Sequence, residues 1–356
     1  MQSKELLFQL LSIDSPTFKE KEKADFLYQW CNEYLAQFDI KRIGNNLILS
    51  TQNSNHTRIG FVGHLDHVPE FFTPYQDDGK IHGAGASDMQ AGLACFLSFV
   101  SNQSQLLDRF NVTIILYDKE EGTTLHDNGL KECITNNEEL IKNIDVAIVA
   151  EPTNNTIQLG CVGSLHATLT VHGKAAHSAR PWHGINAIYE ALPIIEKAAN
   201  QAPIPHELFG VTFYDVLEIT EAEATKGRTT IPEKWVANIN YRFSPVHTLD
   251  EATHYIKEFV DTSGLNEYEL EILNGVESGK VIEHPLLTKV IQESGIEVAA
   301  KQAWTDVSQL TQLGVSAFNF GPGRQDQAHK PNEYVVYDDM VQYEQLLTTI
   351  LLGDKQ

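Results

Sequence analysis

Apolar residues along this chain switch between two periods, and the switches mark its elements. Leu6, Leu7, Leu10 and Leu11 form one helical stripe, which Ser15-Pro16 breaks. Thr17 followed by Glu20 reads as a capping box that opens a second helix running to about Phe38. Short continuous apolar runs then occupy positions 46–50, 59–62, 112–117 and 146–150, as expected of buried strands, with helical patterns such as 91–101 between them. Strands alternating with helices in this way predict an α/β layer whose sheet is covered on both faces.

After Gly163 the texture changes. Leu165, Ala167, Leu169 and Val171 alternate with polar or small residues, the period of a half-buried strand. A helix at 186–199, strands at 211–217 and 235–243, a helix at 249–262 and an alternating strand at 267–273 complete the order β-α-β-β-α-β. That order is ferredoxin-like. From about His284 the first texture resumes. The chain is therefore expected to form a discontinuous first domain, 1–163 with 280–356, carrying an inserted ferredoxin-like domain at 164–279.

A length of 356 residues exceeds the usual size of one core, in keeping with two domains. The net charge of −22, from 26 basic and 48 acidic residues, opposes a nucleic-acid partner and leaves solubility as its plain reading. No apolar run approaches the roughly 18 residues that suggest a membrane span. The opening Met1-Gln2-Ser3-Lys4-Glu5 leads into an amphipathic pattern rather than a secretory leader, so a cytoplasmic location without a membrane partner is expected. Cys31, Cys95, Cys133 and Cys161 form no C-x-x-C pair, which disfavours thiolate zinc ribbons and dithiol redox sites.

Metal-ligating side chains recur where the predicted strands end. His64 and Asp66, one residue apart on an extended segment, point the same way, so the Asp can accept the free ring N–H of the His and fix its tautomer. Asp88 closes the small-residue loop Gly83-Ala84-Gly85-Ala86-Ser87, where it can serve as a helix cap, a ligand or both. Glu120-Glu121 reads by itself as a surface turn. After a buried strand, however, it supplies the two kinds of carboxylate a metallohydrolase needs, one to bind metal and one to take a proton. Glu151 precedes Pro152, which favours extended geometry at the strand terminus, and His329 follows the turn Phe320-Gly321-Pro322-Gly323. Taken in order, these residues offer nitrogen and oxygen ligands without sulfur, the donor set of a catalytic zinc pair.

These segments resemble the dinuclear zinc aminoacylase and carboxypeptidase superfamily over essentially the whole chain, at 63–66, 83–92, 117–121, 150–153, 172–178, 240–242 and 321–329. Within it the likeness is strongest to the succinyl-diaminopimelate desuccinylases, at 160–163, 176–180, 240–243 and 304–306. The resemblance implies a zinc-exopeptidase-like catalytic domain, a mixed sheet covered by helices, and an inserted domain acting as lid and homodimerisation surface. It implies two Zn2+ ions, with Co2+ or Mn2+ able to fill the second site. Asp88 would bridge them, His64 and Glu151 would complete one site, and Glu121 and His329 the other. Asp66 would orient His64, and Glu120 would be the general base. His177 would stabilise the oxyanion of a neighbouring active site, and Arg242 would clamp a substrate carboxylate, with Arg180 and Gly321 as further substrate contacts.

The implied substrate is a small acylated amino acid, N-succinyl-LL-2,6-diaminopimelate first. N-acetylornithine, N-acetylcitrulline, N-acetyllysine or a dipeptide stand as alternatives. Two departures bear on that choice. Val162 stands where many desuccinylases carry an arginine, and Thr229-Thr230-Ile231-Pro232 replaces an Asn-Val-Ile-Pro stretch.

Overall fold

The structure is a computed structural model that describes residues 2–52, 56–68 and 70–353. The chain divides into two compact units, one formed by Met1–Gly160, Lys280–Ala299 and Thr305–Gln356, the other by Cys161–Gly279 with Ala300–Trp304.

The first unit is built on an eight-stranded sheet. Its spatial order is Asp39–Ile43, Asn46–Ser50, Asn111–Tyr117, Arg58–His64, Val146–Val149, Ser316–Asn319, Ile157–Leu159 and Val298–Ala300. The four central strands, Asn111–Tyr117, Arg58–His64, Val146–Val149 and Ser316–Asn319, run parallel, while their flanking partners are antiparallel, so the sheet is mixed. Asn111–Tyr117 is buried at every position, as expected of a strand covered on both faces. The helix Ala91–Asn102 is likewise buried from Ala91 to Val100.

The first turns of the chain differ from the sequence expectation. The helix Lys21–Tyr34 has Glu20 at its N-cap with no side-chain capping bond, and it ends before Phe38. Thr17 Oγ1 instead donates to Asp66 Oδ2 at 3.0 Å, and Glu20 Oε1 accepts N–H groups from Phe18 at 2.7 Å and Lys119 at 3.2 Å. The capping-box spelling is present, but both side chains are drawn to partners far along the chain, where the oxygens they meet are buried.

The second unit is a five-stranded antiparallel sheet ordered Ile204–Leu208, Val211–Ala224, Lys234–Phe243, Gly163–His172 and Tyr268–Val276. Its four long strands follow the ferredoxin-like pattern. Leu165, Ala167, Leu169, Trp235, Ile239 and Phe243 line the face that packs on the helices, with Ala187, Ile194, Ile256 and Phe259 opposite them. The helix expected at 186–199 breaks at Ala191 into Ala187–Glu190 and Leu192–Ala199, the second with proline in its first turn. Thr248 and Glu251 do form a reciprocal capping box, opening the helix Leu249–Asp261.

Ile204–Leu208 is a strand the sequence reading did not include. Pro205 argues against a central strand, but an edge strand accommodates it. Phe209 (φ 51°) and Gly210 (φ 80°) both adopt positive φ in the two-residue turn that joins this strand to Val211–Ala224. Ala300–Trp304 joins this unit through side chains that contiguity along the chain does not reveal. Gln302 exchanges hydrogen bonds with the Tyr214 backbone at 3.0 and 2.6 Å, and Trp304 Nε1 donates to Glu277 O at 3.1 Å. Among the described residues no helix is long and apolar enough to cross a membrane.

Candidate metal centre

The parallel strands of the first unit place its ligand-type residues along one edge. His64 is the last residue of Arg58–His64; Glu120-Glu121 follow Asn111–Tyr117, and Glu151 follows Val146–Val149. Gly321 and His329 lie beyond Ser316–Asn319. This is the carboxyl end of the parallel sheet, the edge at which open α/β sheets hold their ligands. Side chains that are far apart in sequence therefore converge at one edge of the sheet.

His64 and Asp88 are both buried at the centre. One side of the His64 ring, Nδ1, faces Asp66, at 3.2 Å from its carbonyl and 3.5 Å from Oδ1. The other, Nε2, lies 3.3 Å from Asp88 Oδ1. A neutral imidazole donates from only one nitrogen, so the Nε2 lone pair and the Asp88 oxygen face each other across a gap suited to a cation. Asp88 Oδ2 faces the opposite way, 3.5 Å from His329 Nε2, which also lies 3.1 Å from Glu121 Oε1. Ligand atoms of His64, Asp88 and Glu151 lie within 4.8 Å of one another, as do those of Asp88, Glu121 and His329, and those of His64, Glu120 and Glu121. The first two sets share Asp88. All donors are imidazole nitrogens or carboxylate oxygens, so these residues fit a divalent metal of the zinc type.

The electrostatics match a site that assembles around positive charge. Burial resists protonation of His64, yet Asp66 and Asp88 outweigh it and raise the imidazole well above its ordinary value. Asp88 and Glu121 hold His329 protonated up to about 10. Burial, then the neighbouring Glu121 carboxylate, pushes the Glu120 carboxyl well above the ordinary range. Burial and the Asp88 charge raise the Glu121 carboxyl as well.

Asp66 ties this assembly together. Besides His64 and Thr17, it accepts the backbone N–H of Glu120 at 3.2 Å and of Glu121 at 3.0 Å. The sequence reading assigned it only the histidine. Glu120 and Glu121 are thus a half-buried and a buried residue of a held loop rather than a solvated turn. Asp88 does not cap the following helix, which begins at Ala91 with Gln90 in its N-cap position and no side-chain capping bond.

The sequence reading missed several supporting residues. Glu333 is fully buried and accepts N–H groups from Gly85 (2.8 Å), Ser87 (2.7 Å) and Asp88 (2.8 Å), which shapes the loop that presents Asp88. Its burial pushes its carboxyl up to about 8. The Tyr117 hydroxyl donates to the buried Asp306 carboxylate, which also accepts Gln309 Nε2 at 2.5 Å and Asn128 Nδ2 at 3.4 Å. Tyr117 and Asp306 lay in segments that the family likeness covers; Glu333 carried no sequence signal beyond standing before the apolar run Tyr334–Val336.

Gly321, expected to contact substrate, is closely packed against the Glu151 loop. A Cβ there would come within 2.4 Å of Glu151 O and 2.6 Å of Ala150 O. Its N–H and C=O both engage Thr153 Oγ1 at 3.1 Å. It is a close-packing position that lets two ligand-bearing loops approach, and its polar groups are already used.

His177, Arg180 and Arg242 belong to the second unit. His177 is exposed and pairs with Thr230 in the short ladder of Ala176–His177 with Thr230–Ile231. The departure at Thr229-Thr230 therefore adjoins it directly. Arg180 is exposed in the same loop. Arg242 lies half-buried on the sheet face away from the helices, where its Nε donates to Asn240 Oδ1 at 3.2 Å. Asn240 Nδ2 in turn lies 3.0 Å from His166 Nε2, so Arg242, Asn240 and His166 form a polar row. Val162 is fully buried and presents no charge.

The profile of peptidase family M20/M25/M40 matches residues 60–353. A succinyl-diaminopimelate desuccinylase of Corynebacterium glutamicum is 32% identical over 333 residues, 91% of this chain and 89% of that protein. Among solved structures, a tripeptidase from Staphylococcus aureus superposes with a TM-score of 0.77 at 18% identity, covering 98% of this chain and 97% of that one. The Bacillus subtilis YxeP protein, described as a dinuclear metal-binding peptidase of the M20 family, gives 0.69 at 14% identity, covering 98% and 96%.

Proposed function

The chain belongs to peptidase family M20/M25/M40 and is a hydrolase of that family. On that premise we propose that it carries two Zn2+ ions and cleaves N-succinyl-LL-2,6-diaminopimelate to succinate and LL-2,6-diaminopimelate, a step of lysine and diaminopimelate biosynthesis. The observation that carries the two-metal reading is Asp88, whose two carboxylate oxygens face different histidines and which belongs to two separate donor sets. His64 and Glu151 would hold one ion, Glu121 and His329 the other, with Asp88 between; Co2+ or Mn2+ would also suit the second set.

When bound, the metals supply Lewis-acid polarisation of the acyl carbonyl and lower the pKa of water. Glu120 takes a proton from the attacking water and returns it to the departing amine nitrogen. Its raised affinity for a proton suits both halves of that transfer, because it can hold the proton between them. Asp66 keeps His64 in one orientation and fixes the backbone of Glu120, so base and ligands are positioned by the same carboxylate. Across a homodimer formed through the second unit, His177 would donate to the developing oxyanion, and Arg242 would clamp a substrate carboxylate.

The desuccinylase assignment leans on a relative 32% identical along most of its length. A second reading, hydrolysis of N-acetylornithine, N-acetylcitrulline or N-acetyllysine, is favoured by the buried, uncharged Val162 and by Thr229-Thr230 beside His177. Zinc-loaded protein assayed against succinyl-diaminopimelate, the three acetyl amino acids and unacylated dipeptides decides between them. The expected result is the highest kcat/KM on the succinyl substrate; faster turnover of an acetyl substrate or dipeptide would replace this assignment.

A further inference from the structure

The second unit holds another group of ligand-type side chains, unrelated to the hydrolytic centre. His206 lies on the edge strand Ile204–Leu208, Asp215 on its hairpin partner Val211–Ala224, and His247 in the turn after Lys234–Phe243. His206 Nε2 and His247 Nε2 stand 3.1 and 3.2 Å from the same oxygen, Asp215 Oδ2. The three ligand atoms lie within 4.8 Å of one another, and the two rings meet edge to face with centroids 5.3 Å apart.

The carboxylate between them is buried and held from behind. Asp215 is only 3% exposed. Its Oδ1 accepts the Ser244 N–H at 2.6 Å, and Oδ2 also accepts the Tyr241 hydroxyl at 3.0 Å. Tyr241 is itself fixed by stacking on Tyr255 at 4.8 Å. Three groups therefore converge on Oδ2, an oxygen with about two lone-pair directions. A cation shared by the two imidazoles and Oδ2 satisfies both rings through their lone pairs and leaves the tyrosine as a supporting donor, as donors behind metal ligands commonly are. The spacing agrees: ligands at roughly 2.0–2.2 Å around a tetrahedral ion stand about 3.3 Å apart. The histidine side chains are 24% and 35% exposed, which gives an entry path and room for a solvent ligand.

We propose that His206, Asp215 and His247 form a separate divalent transition-metal site, suited to Zn2+, that clips the edge hairpin of the second unit to the turn after Lys234–Phe243. Two nitrogens and one oxygen without sulfur select zinc-like ions over Mg2+ or Ca2+. The site does not depend on the proposed substrate or on the hydrolytic centre.

Chelator-stripped full-length protein, dialysed to equilibrium against Zn2+ and analysed for metal per chain, tests this. The wild type is expected to hold one more zinc per chain than His206→Ala/His247→Ala, while the double variant keeps its hydrolytic rate. Equal zinc content in the two proteins overturns the site. Should the double variant fold poorly, zinc-edge anomalous diffraction from zinc-soaked wild-type crystals gives an independent answer. A peak among the three side chains supports the site, and its absence there overturns it. A Glu121→Ala/His329→Ala variant lowers the total zinc, yet adding His206→Ala/His247→Ala to it still removes one further zinc per chain, so failure of either centre is distinguishable from failure of the other.

Discussion

In the first unit, His64, Asp66, Asp88, Glu121 and Glu151 are buried, and Asp66 and Glu333 between them fix the backbone at five points. In the second, His177 is exposed on a two-residue ladder, Arg180 is exposed in the loop that follows it, and Arg242 stands half-buried on a sheet face beside the Asn240 amide. The difference fits the division of task that the proposed function assigns to the two units. Reaction chemistry at a metal needs ligands held to fractions of an ångström, and burial with hydrogen-bonded support provides that. Residues that read a substrate must stay accessible, and they carry less surrounding structure to fix them.

The largest expected effect lies at the proton carrier. Glu120→Gln should lower turnover by roughly 10²–10⁴-fold while zinc content stays the same; a rate within tenfold of wild type would move the base elsewhere. His177→Ala should cost about 10²–10³ in kcat, again with zinc retained, if an exposed residue of the second unit supplies oxyanion stabilisation. An unchanged kcat would confine the chemistry to the first unit. Asp66→Asn should weaken zinc affinity by about 10–100-fold, read by competition with a chromophoric chelator. Unaltered affinity would mean that the buried network is not what organises the ligands.

A further test concerns the cost of burying charge in the first unit. Lys23 is fully buried, and its Nζ has no hydrogen-bond partner among the described residues. Burial drives its pKa down to about 7, against the pull of Asp66, Asp14, Glu20 and Glu333. The unfolded value is near 10.4, so between those limits the unfolded chain binds the extra proton and stability rises with pH, by up to about 1.4 kcal/mol per pH unit. Urea unfolding of metal-free wild type against Lys23→Met from pH 7 to 10 should show that slope only in the wild type; parallel curves would remove the buried charge from the account. The smallest effect is expected from Thr17→Val, which deletes one hydrogen bond to Asp66 worth about 1 kcal/mol, or roughly fivefold in zinc affinity.

Much of this arrangement was legible before any coordinates. Largely apolar runs such as 112–117 have few alternatives to a covered strand, and the alternation at 165–171 has few alternatives to a half-buried one. His64, Asp88, Glu120, Glu121, Glu151 and His329 could be named because each stands just beyond such a run or in a small-residue loop or turn. The capping-box spelling at Thr17 and Glu20 misled for a physical reason. A hydroxyl and a carboxylate serve equally well as cap or as cross-link, and the choice depended on Asp66 and Lys119 arriving from elsewhere in the chain. The strand at 204–208 was hidden by Pro205, whose tolerance at a sheet edge depends on knowing where the edge is.

Local periodicity and ligand chemistry, then, are properties of neighbouring residues, and the sequence by itself determined the main strands and helices, the metal-type donor set and the family likeness. Which carboxylate braces which loop is a property of distant segments meeting. Only the tertiary structure decided that Glu333 shapes the Asp88 loop, that Gly321 serves close packing, and that His206, Asp215 and His247 converge on one oxygen. Such pairings are set by sheet order and burial, which no short window of sequence contains.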